Sequence, residues 1–508
     1  MERNEREENL RKLLKAALES GGKPWVLVIG AGVTGLALVR LFTEAGFCAA
    51  VIDEKRLASS VLEELEGYGA IVRDGFDEGS DEMVSELGAR DYALAVRSPG
   101  IGSSNKMLKF AKSLSIPLFS EVELAVAYLG RPEIAITGTN GKTTTVHLVE
   151  AMFEAAKREV LMLGNVGRPF VNAVNPQSLR LGICENRGSS VVAEISSYQL
   201  EQSPEFAAHI AVFLNLDDDH LERHGSVETY RDIKSRIFAN QDSESDWSLI
   251  CVDCPYADYM RFSCKGRYFP FGSLKDLSGV PNACYLDTSA NRVVFRLGEI
   301  EEEYSLSNWS LIGYHNKLNL MAAVAASRLA GVSREAVQSV IDTFKSLPHR
   351  LEPVGEFFGA LYVNDSKGTN VSAACVAIDA MRDYRRGARI FLLLGGQIKR
   401  GSFMSLARKI ESDVSGVIIF GAYRDEIRRA LGDLPSQAFV ESVPTLSDAT
   451  ARAMELAASG DVVLFSPACA SFDAYPNYVA RGEHFGSLVR ESAERRGSGE
   501  DGYASVAY

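Results

Sequence analysis

A chain of 508 residues, 46% hydrophobic and 24% charged, holds core-forming material for about two to four domains. Its net charge of −13 and the lack of a large basic block argue against nucleic acid as a partner. No run of about 18 apolar residues occurs, and the charged start MERNEREENLRKLLKAALES lacks a secretory core, so a cytoplasmic chain without a membrane span is expected.

Residues 1–22 read as an N-terminal extension, with a short surface helix over residues 2–20. A first block, 23–129, opens with a buried strand (Val26 to Ile29), the turn GAGVTG at 30–35, a helical pattern and a second strand (Ala49 to Ile52) ending at Asp53. Such a βαβ unit predicts a parallel sheet. GxGxxG followed by an acidic residue about 20 positions on suggests a dinucleotide fold, and so an oxidoreductase. A lone fingerprint of this kind is a weak signal, and here it shares the chain with a separate nucleotide loop.

The second block, 130–346, follows the linker-like LGRP. Strand EIAIT runs into ITGTNGKTTT at 136–145 and a long helix from about Thr143. Glycines at Gly138 and Gly141 let the backbone of Thr139, Asn140 and the following residues to Thr144 curl with N–H groups inward, toward phosphate oxygens. The helix N-terminus adds partial positive charge. Lys142 would neutralise terminal phosphates, and the Thr143 hydroxyl would ligate Mg²⁺. The spacing departs from GxxxxGK[ST], because Ile136 stands where the first glycine is usual. A phosphate loop alone serves a hydrolase, a kinase, a ligase or a non-catalytic nucleotide sensor.

Strands VVAEIS and IAVFLN follow, then an antiparallel-looking stretch over roughly 250–310 and helices around 316–345. Glu194 ends one strand, where carboxylates of α/β sheets face a ligand crevice. His220 follows the other strand. Taken singly, Glu194 is an ordinary strand-end carboxylate, His220 a structural hydrogen-bonder and Lys234 a surface lysine. Of the eight cysteines only Cys251 and Cys254 have CxxC spacing, with no second pair nearby, so reduced thiols are expected. The third block, 347–508, contains ALYVND, ARIFLLLGG, GVIIFG and DVVLFS with helical patterns between, again a parallel sheet covered by helices. Residues 492–508 read as a mobile tail. The expectation is a three-domain α/β chain, with a Rossmann-like domain, a central phosphate-loop domain and a second Rossmann-like domain.

Several segments taken together carry a resemblance. They are SPGI (98–101), GTNGKTTT (138–145), GNVGRP (164–169), SSYQLE (196–201), NLDDDHLERHG (215–225), YRDIKSRIF (230–238), HNKLN (315–319), LPHRLE (347–352), VNDSKGTN (363–370) and SPACASFDAYPNYVARGEHF (466–485). In this order they resemble the Mur ligase superfamily, ATP-dependent amide-forming enzymes of cell-wall precursor synthesis. SSYQLE is similar to the SSFQLE of its D-glutamate-adding branch.

The resemblance implies that ATP phosphorylates the carboxylate of UDP-N-acetylmuramoyl-L-alanine and that the D-glutamate amine then attacks the acyl phosphate. It implies Glu194, His220 and Lys234 at the Mg²⁺ site, with Lys234 carbamylated, because an ammonium repels Mg²⁺ and a carbamate supplies oxygens. Asn165 would position the phosphoryl group or the substrate. Asn316, Asn319 and Arg350 would grip ATP, and Asp365 its ribose. The first block would hold UDP rather than a dinucleotide. Its diphosphate would lie at Gly32, Val33 and Thr34, its uracil or ribose near Asp53, Glu54 and Lys55, with Ser98, Pro99 and Gly100 lining the same site. D-glutamate would meet Lys367, Thr369, Lys399, Ser471, Phe472 and Tyr478, the last standing where Phe is usual. Arg400 is an insertion beside Lys399. A monomer is expected. The alternatives are another amino-acid ligase of the superfamily, though no DNPR-like run is present, or the oxidoreductase suggested by GAGVTG.

Overall fold

The computed structural model describes residues 3–77, 81–165, 167–185, 190–219, 221–273, 277–398, 402–432 and 439–498. His220, Lys399, Arg400 and the tail beyond 498 lie outside the described residues. The chain forms two compact units, Met1–Leu216 with Glu228–Ser305 and Asn319–Val340, and Asp217–Val227 with Leu306–Leu318 and Ile341–Tyr508. Among the described residues there are three sheets, of five, nine and six strands. The first unit carries the first two sheets, and the second carries the third.

In the first sheet, β1 (Trp25–Ile29), β2 (Cys48–Ile52), β3 (Ile71–Arg73), β4 (Tyr92–Arg97) and β5 (Leu118–Ser120) are all parallel, in the order β3-β2-β1-β4-β5. Val26 to Ile29 and Ala49 to Ile52 are fully buried, as in a sheet covered on both faces. The order reverses between β1 and β4, which opens a crevice at their carboxyl ends.

The second sheet comprises β6 (Ile134–Thr137), β7 (Val160–Gly164), β8 (Ser190–Glu194), β9 (Ile210–Phe213), β10 (Trp247–Cys251), β11 (Arg267–Ser273), β12 (Asn282–Asp287), β13 (Arg292–Leu297) and β14 (Ile300–Ser305). Its order is β14-β13-β12-β11-β10-β9-β6-β8-β7. The antiparallel expectation for 250–310 needs correction. β10, β11 and β12 pair in parallel, and only β12 to β14 form an antiparallel meander. The short helix Ala257–Ser263 carries the chain back across the sheet between β10 and β11, and that crossover enforces parallel pairing.

The N-terminal helix also departs from expectation. It forms over Arg3–Glu19, but Leu10 and Leu14, four residues apart on one face, are buried. The helix packs on helices Glu121–Leu129 and Pro176–Leu181, and Arg6 pairs with Glu123 at 3.0 Å and Glu205 at 3.1 Å. It is a docked element of the first unit rather than a surface helix.

The sheet of the second unit comprises β15 (Glu352–Phe357), β16 (Ala360–Asn364), β17 (Ile390–Gly395), β18 (Gly416–Phe420), β19 (Phe439–Val443) and β20 (Val462–Ala468). Its order is β15-β16-β20-β17-β18-β19, parallel except for the antiparallel edge strand β15. Successive β17 residues feed opposite cores, Leu392 and Leu394 into one cluster and Phe391 and Leu393 into the other. The final helix runs over Tyr478–Ser498, so residues 492–498 are helical, not tail.

Candidate active site

β6 lies between β8 and β9, and its carboxyl end opens into the phosphate loop. Ile136 pairs with Glu194 of β8, which sets that carboxylate at the mouth of the loop. Gly141 has φ +85°, and a Cβ there would meet Asn319 Oδ1 at 2.3 Å, so this tight turn requires glycine. The same contact places Asn319 of HNKLN against the loop. Asn215, two residues beyond the end of β9, clamps the loop. The Asn140 N–H donates to Asn215 Oδ1 at 2.8 Å, Asn215 Nδ2 donates to the Asn140 carbonyl at 3.1 Å, and the Thr139 N–H donates to the Asn215 carbonyl at 3.0 Å. The sequence reading assigned Asn215 no role, although it opens NLDDDHLERHG.

Lys142 heads the helix Lys142–Ala155. Its Nζ donates back to the carbonyls of Gly138 at 2.8 Å and Thr139 at 2.9 Å. The ammonium is therefore held inside the curl of the loop. Thr143 Oγ1 donates to Glu194 Oε2 at 2.8 Å, and Asn165 Nδ2 donates to Glu194 Oε1 at 2.8 Å. The Asn165 N–H also donates to the Glu194 carbonyl at 2.9 Å. Two residues singled out from distant segments, Thr143 and Asn165, thus share the buried carboxylate of a third, Glu194.

Lys234 is not a surface lysine. It is 1% exposed, and its Nζ donates to the Gly138 carbonyl at 2.8 Å and approaches Thr137 Oγ1 at 3.5 Å. The Tyr230 ring centroid lies 4.6 Å away. Burying an ammonium group is costly, so its place directly beneath the loop calls for a functional reason. The oxygens of Glu194 and Thr143 are hard donors of the kind Mg²⁺ takes. Lys234 suits a cation site only after its nitrogen has lost its charge.

At the carboxyl end of β1, the Ser98 N–H donates to the Ile29 carbonyl at 2.9 Å, and Ser98 Oγ donates to the Gly30 carbonyl at 3.2 Å. This joins SPGI to GAGVTG. A Cβ on Gly35 would lie 1.9 Å from the Gly30 carbonyl, so glycine lets the helix Val33–Ala45 close on the strand. Gly32 caps that helix without a side-chain hydrogen bond, and Val33 is 76% exposed. Asp53 accepts the Ala31 N–H at 2.8 Å and the Lys55 N–H at 2.9 Å, one on each oxygen. Glu54 accepts from Asn105 Nδ2 at 2.9 Å. Gln202, at the end of the helix Ser197–Gln202, was not singled out by sequence. Its Nε2 donates to the carbonyls of Pro99 at 2.7 Å and Ile101 at 2.9 Å, so the SSYQLE helix grips the SPGI loop.

In the second unit, Asp365 follows β16. Burial pushes its carboxyl up to about 7, although Ser466 Oγ donates to it at 2.7 Å and the Leu351 N–H at 3.2 Å. Lys367 Nζ sits 4.1 Å from the Tyr478 ring centroid, a cation–π contact. The Thr369 N–H donates to the Lys367 carbonyl at 2.8 Å. Ser471 is buried while its neighbour Phe472 is 70% exposed. Arg350 lies between His349 and Leu351, both with positive φ, and Asn316 Nδ2 donates to the Ile312 carbonyl at 2.8 Å. Beneath these loops Arg481, missed by sequence, is fully buried. It donates to the Ser366 carbonyl at 2.8 Å, Ser366 Oγ at 3.1 Å and the Cys469 carbonyl at 3.0 Å, tying together the ends of β16 and β20.

Comparisons with known proteins bear on these sites. The Mur ligase middle domain matches residues 136–327, and the Mur ligase glutamate ligase domain matches residues 349–469. The chain is 38% identical to a UDP-N-acetylmuramoylalanine--D-glutamate ligase of Syntrophus aciditrophicus (strain SB), covering 92% of this chain and 98% of that one. It is 36% identical to the protein of the same name from Geotalea daltonii, over 94% and 99%. Two solved structures share the fold. MurF from Acinetobacter baumannii has a TM-score of 0.58 at 14% identity, over 95% of this chain and 98% of that one. MurF ligase from Thermotoga maritima in complex with ADP has a TM-score of 0.56 at 17% identity, over 95% and 99%.

Proposed function

The chain belongs to the Mur ligase family, and on that premise we propose that it joins D-glutamate to UDP-N-acetylmuramoyl-L-alanine, converting ATP to ADP and phosphate, in peptidoglycan precursor synthesis. The observation that carries this reading is the cluster of Lys142, Thr143, Asn165 and Glu194 around one phosphate loop, with Lys234 buried beneath it. In the proposed assignment, residues 23–129 take the UDP part, 130–346 take ATP and 347–508 take the amino acid. ATP and a UDP-linked substrate both place the reaction in the cytoplasm. Among the described residues no helix is long and apolar enough to cross a membrane.

The first step is attack of the alanyl carboxylate on the γ-phosphorus of ATP, giving an acyl phosphate and ADP. Lys142 leaves its carbonyl partners to bind the terminal phosphates and spread the charge of the moving phosphoryl group. The loop N–H groups from Thr139 to Thr144 hold the remaining phosphate oxygens. Mg²⁺ would be held by Thr143, Glu194, His220 and a carbamylated Lys234, and would supply charge neutralisation there. Asn165 keeps the Glu194 carboxylate oriented. The second step is attack of the neutral D-glutamate amine on the acyl carbon. The tetrahedral adduct loses phosphate and a proton to leave the amide. Lys367, Thr369, Ser471, Phe472, Tyr478 and Lys399 are the proposed amino-acid pocket. Asn316, Asn319 and Arg350 are the proposed ATP contacts, and Asp365 the proposed ribose acceptor.

An assay of ADP release tests this. The chain is given the muramoyl-alanine nucleotide with D-glutamate, L-lysine or diaminopimelate in turn. Release that depends on both the nucleotide and D-glutamate is expected. Release with diaminopimelate or lysine instead would move the chain to another branch of the family, and no release with any amino acid would end the ligase reading.

A further inference from the structure

The nine-stranded sheet has a second cleft at the opposite end of β6 from the phosphate loop. Its volume is about 650 Å³, and its lining includes residues at the N-terminal ends of β8, β9 and β10 together with Arg131 and Glu133 just before β6. β6 has four residues, so roughly 13 Å of strand separates this cleft from the loop.

Three arginines line it. Arg158 donates to Glu133 at 3.0 Å and to Ser190 Oγ at 3.0 Å. Arg131 donates to Asp246 at 2.5 Å and to the His209 ring at 2.8 Å, while its Nε is buried with no hydrogen-bond partner among the described residues. Arg267 lies 3.9 Å from the Trp247 ring centroid, and its side chain donates to the Ser245 carbonyl at 3.2 Å. The two carboxylates are each engaged by a different arginine, Glu133 by Arg158 and Asp246 by Arg131. Asp242 lies near Arg131 as well, and the Arg267 guanidinium pairs with neither Glu133 nor Asp246. Asp246 also fixes the spacing of the flanking arginines, because its side chain takes Arg131 and its carbonyl takes the Arg267 N–H at 2.8 Å. An open polar cleft lined by three guanidinium groups, with that of Arg267 set on Trp247 rather than on Glu133 or Asp246, is suited to paired anionic groups, and guanidinium forks match phosphate oxygens.

We propose that this cleft is a second anion site, taking a small molecule that carries adjacent phosphate groups, separate from the ATP site at the other end of β6. Arg267 and Arg131 bind the phosphates, and Trp247 forms the wall beside them.

The test uses the full chain carrying Lys142→Ala, which silences the phosphate loop, with 5-fluorotryptophan in place of tryptophan. Trp247 is assigned in the ¹⁹F spectrum by Trp247→Phe, the other two positions being Trp25 and Trp309. Inorganic pyrophosphate is titrated in at constant ionic strength, and ADP in a parallel series. A saturable shift of the Trp247 signal is expected, weakened about tenfold by adding Arg267→Gln. Arg267 is exposed, so that substitution leaves the fold intact, and an unchanged thermal midpoint verifies it. Tighter binding of ADP than of pyrophosphate would make the ligand a nucleotide, and equal binding would make it the diphosphate alone. A Trp247 signal that fails to shift with either probe, or that titrates identically with Gln at 267, overturns the proposal.

Discussion

The first unit holds two glycine-rich loops in equivalent places, each at the carboxyl end of a central parallel strand and each leading into a helix. GAGVTG follows β1, and GTNGKTTT follows β6. Their backbones pose the same problem and solve it alike, with glycine wherever a Cβ would strike a neighbour, at Gly35 and at Gly141. Their surroundings differ. The β6 loop has Lys142 curled inside it, Glu194 bound by two side chains at its mouth and Lys234 buried beneath. The β1 loop opens its helix with the exposed Val33, and Asp53 spends both oxygens on backbone N–H groups. Glycine spacing therefore marks where the chain leaves room for the phosphate proposed to lie against it. Whether that phosphate is only held or also transferred depends on the side chains contributed by neighbouring strands.

The sharpest way to break this contrast is Lys142→Ala. If the β6 loop performs transfer, kcat should fall about 10³-fold, with UDP-substrate binding by calorimetry unchanged. Retained turnover would reduce the β6 loop to a mere holder, like its counterpart. Lys234→Ala comes next. A loss of about 10²-fold is expected, partly restored by a short carboxylic acid that supplies the missing oxygens. If the acid restores nothing, Lys234 acts as an amine and the carbamate is abandoned.

How much of this contrast can be read from sequence depends on whether a residue's neighbours are local. The phosphate loop is legible because an apolar strand, two glycines and a helix start follow one another directly. Glu194 is legible as the polar end of an apolar run. The burial of Lys234 is not, because its helix Val227–Ser235 is largely polar and only tertiary packing puts Tyr230, Ile233 and Lys234 inside. Asn215 and Gln202 escape for a related reason. Their amides bond backbone atoms some 75 and 101 residues away, and an amide in a loop or at a helix end has no sequence signature of such a partner. Leu10 and Leu14 do lie one helical turn apart, but a two-residue stripe amid charge reads as a solvated helix until its packing partners are known. The parallel pairing of β10 with β11 was hidden because its crossover helix is only seven residues long.

The β1 loop can be probed from the holding side. Val33→Asp places a carboxylate at the start of an otherwise uncapped helix, where the UDP diphosphate is proposed to lie. A rise of about tenfold in KM for the UDP substrate is expected, from like-charge repulsion, with kcat and the KM for ATP unchanged. An equal fall in kcat would mean that the β1 loop takes part in transfer and would erase the distinction between the two loops.

The smallest expected effect concerns how the two sheets are fastened together. Glu121 starts the helix after β5 and is 1% exposed, and its Oε1 accepts the Val171 N–H at 2.9 Å from the short helix that follows GNVGRP. Burial pushes its carboxyl up from 4.5 to about 7, against the opposing pull of the Val171 and Phe170 N–H groups. Between those two values the folded chain keeps a proton that the unfolded chain has lost. This group's contribution to stability therefore falls as pH rises through that window and levels off above about 7. Glu121→Gln keeps an acceptor for the Val171 N–H and removes the titration. The variant should gain on the parent by about 2–3 kcal/mol on going from pH 5 to pH 8, read as the difference between their urea midpoints at each pH. Parallel pH curves for parent and variant would mean that Glu121 is ionised in both states, and that the two loop platforms are joined through a charged contact rather than a neutral one.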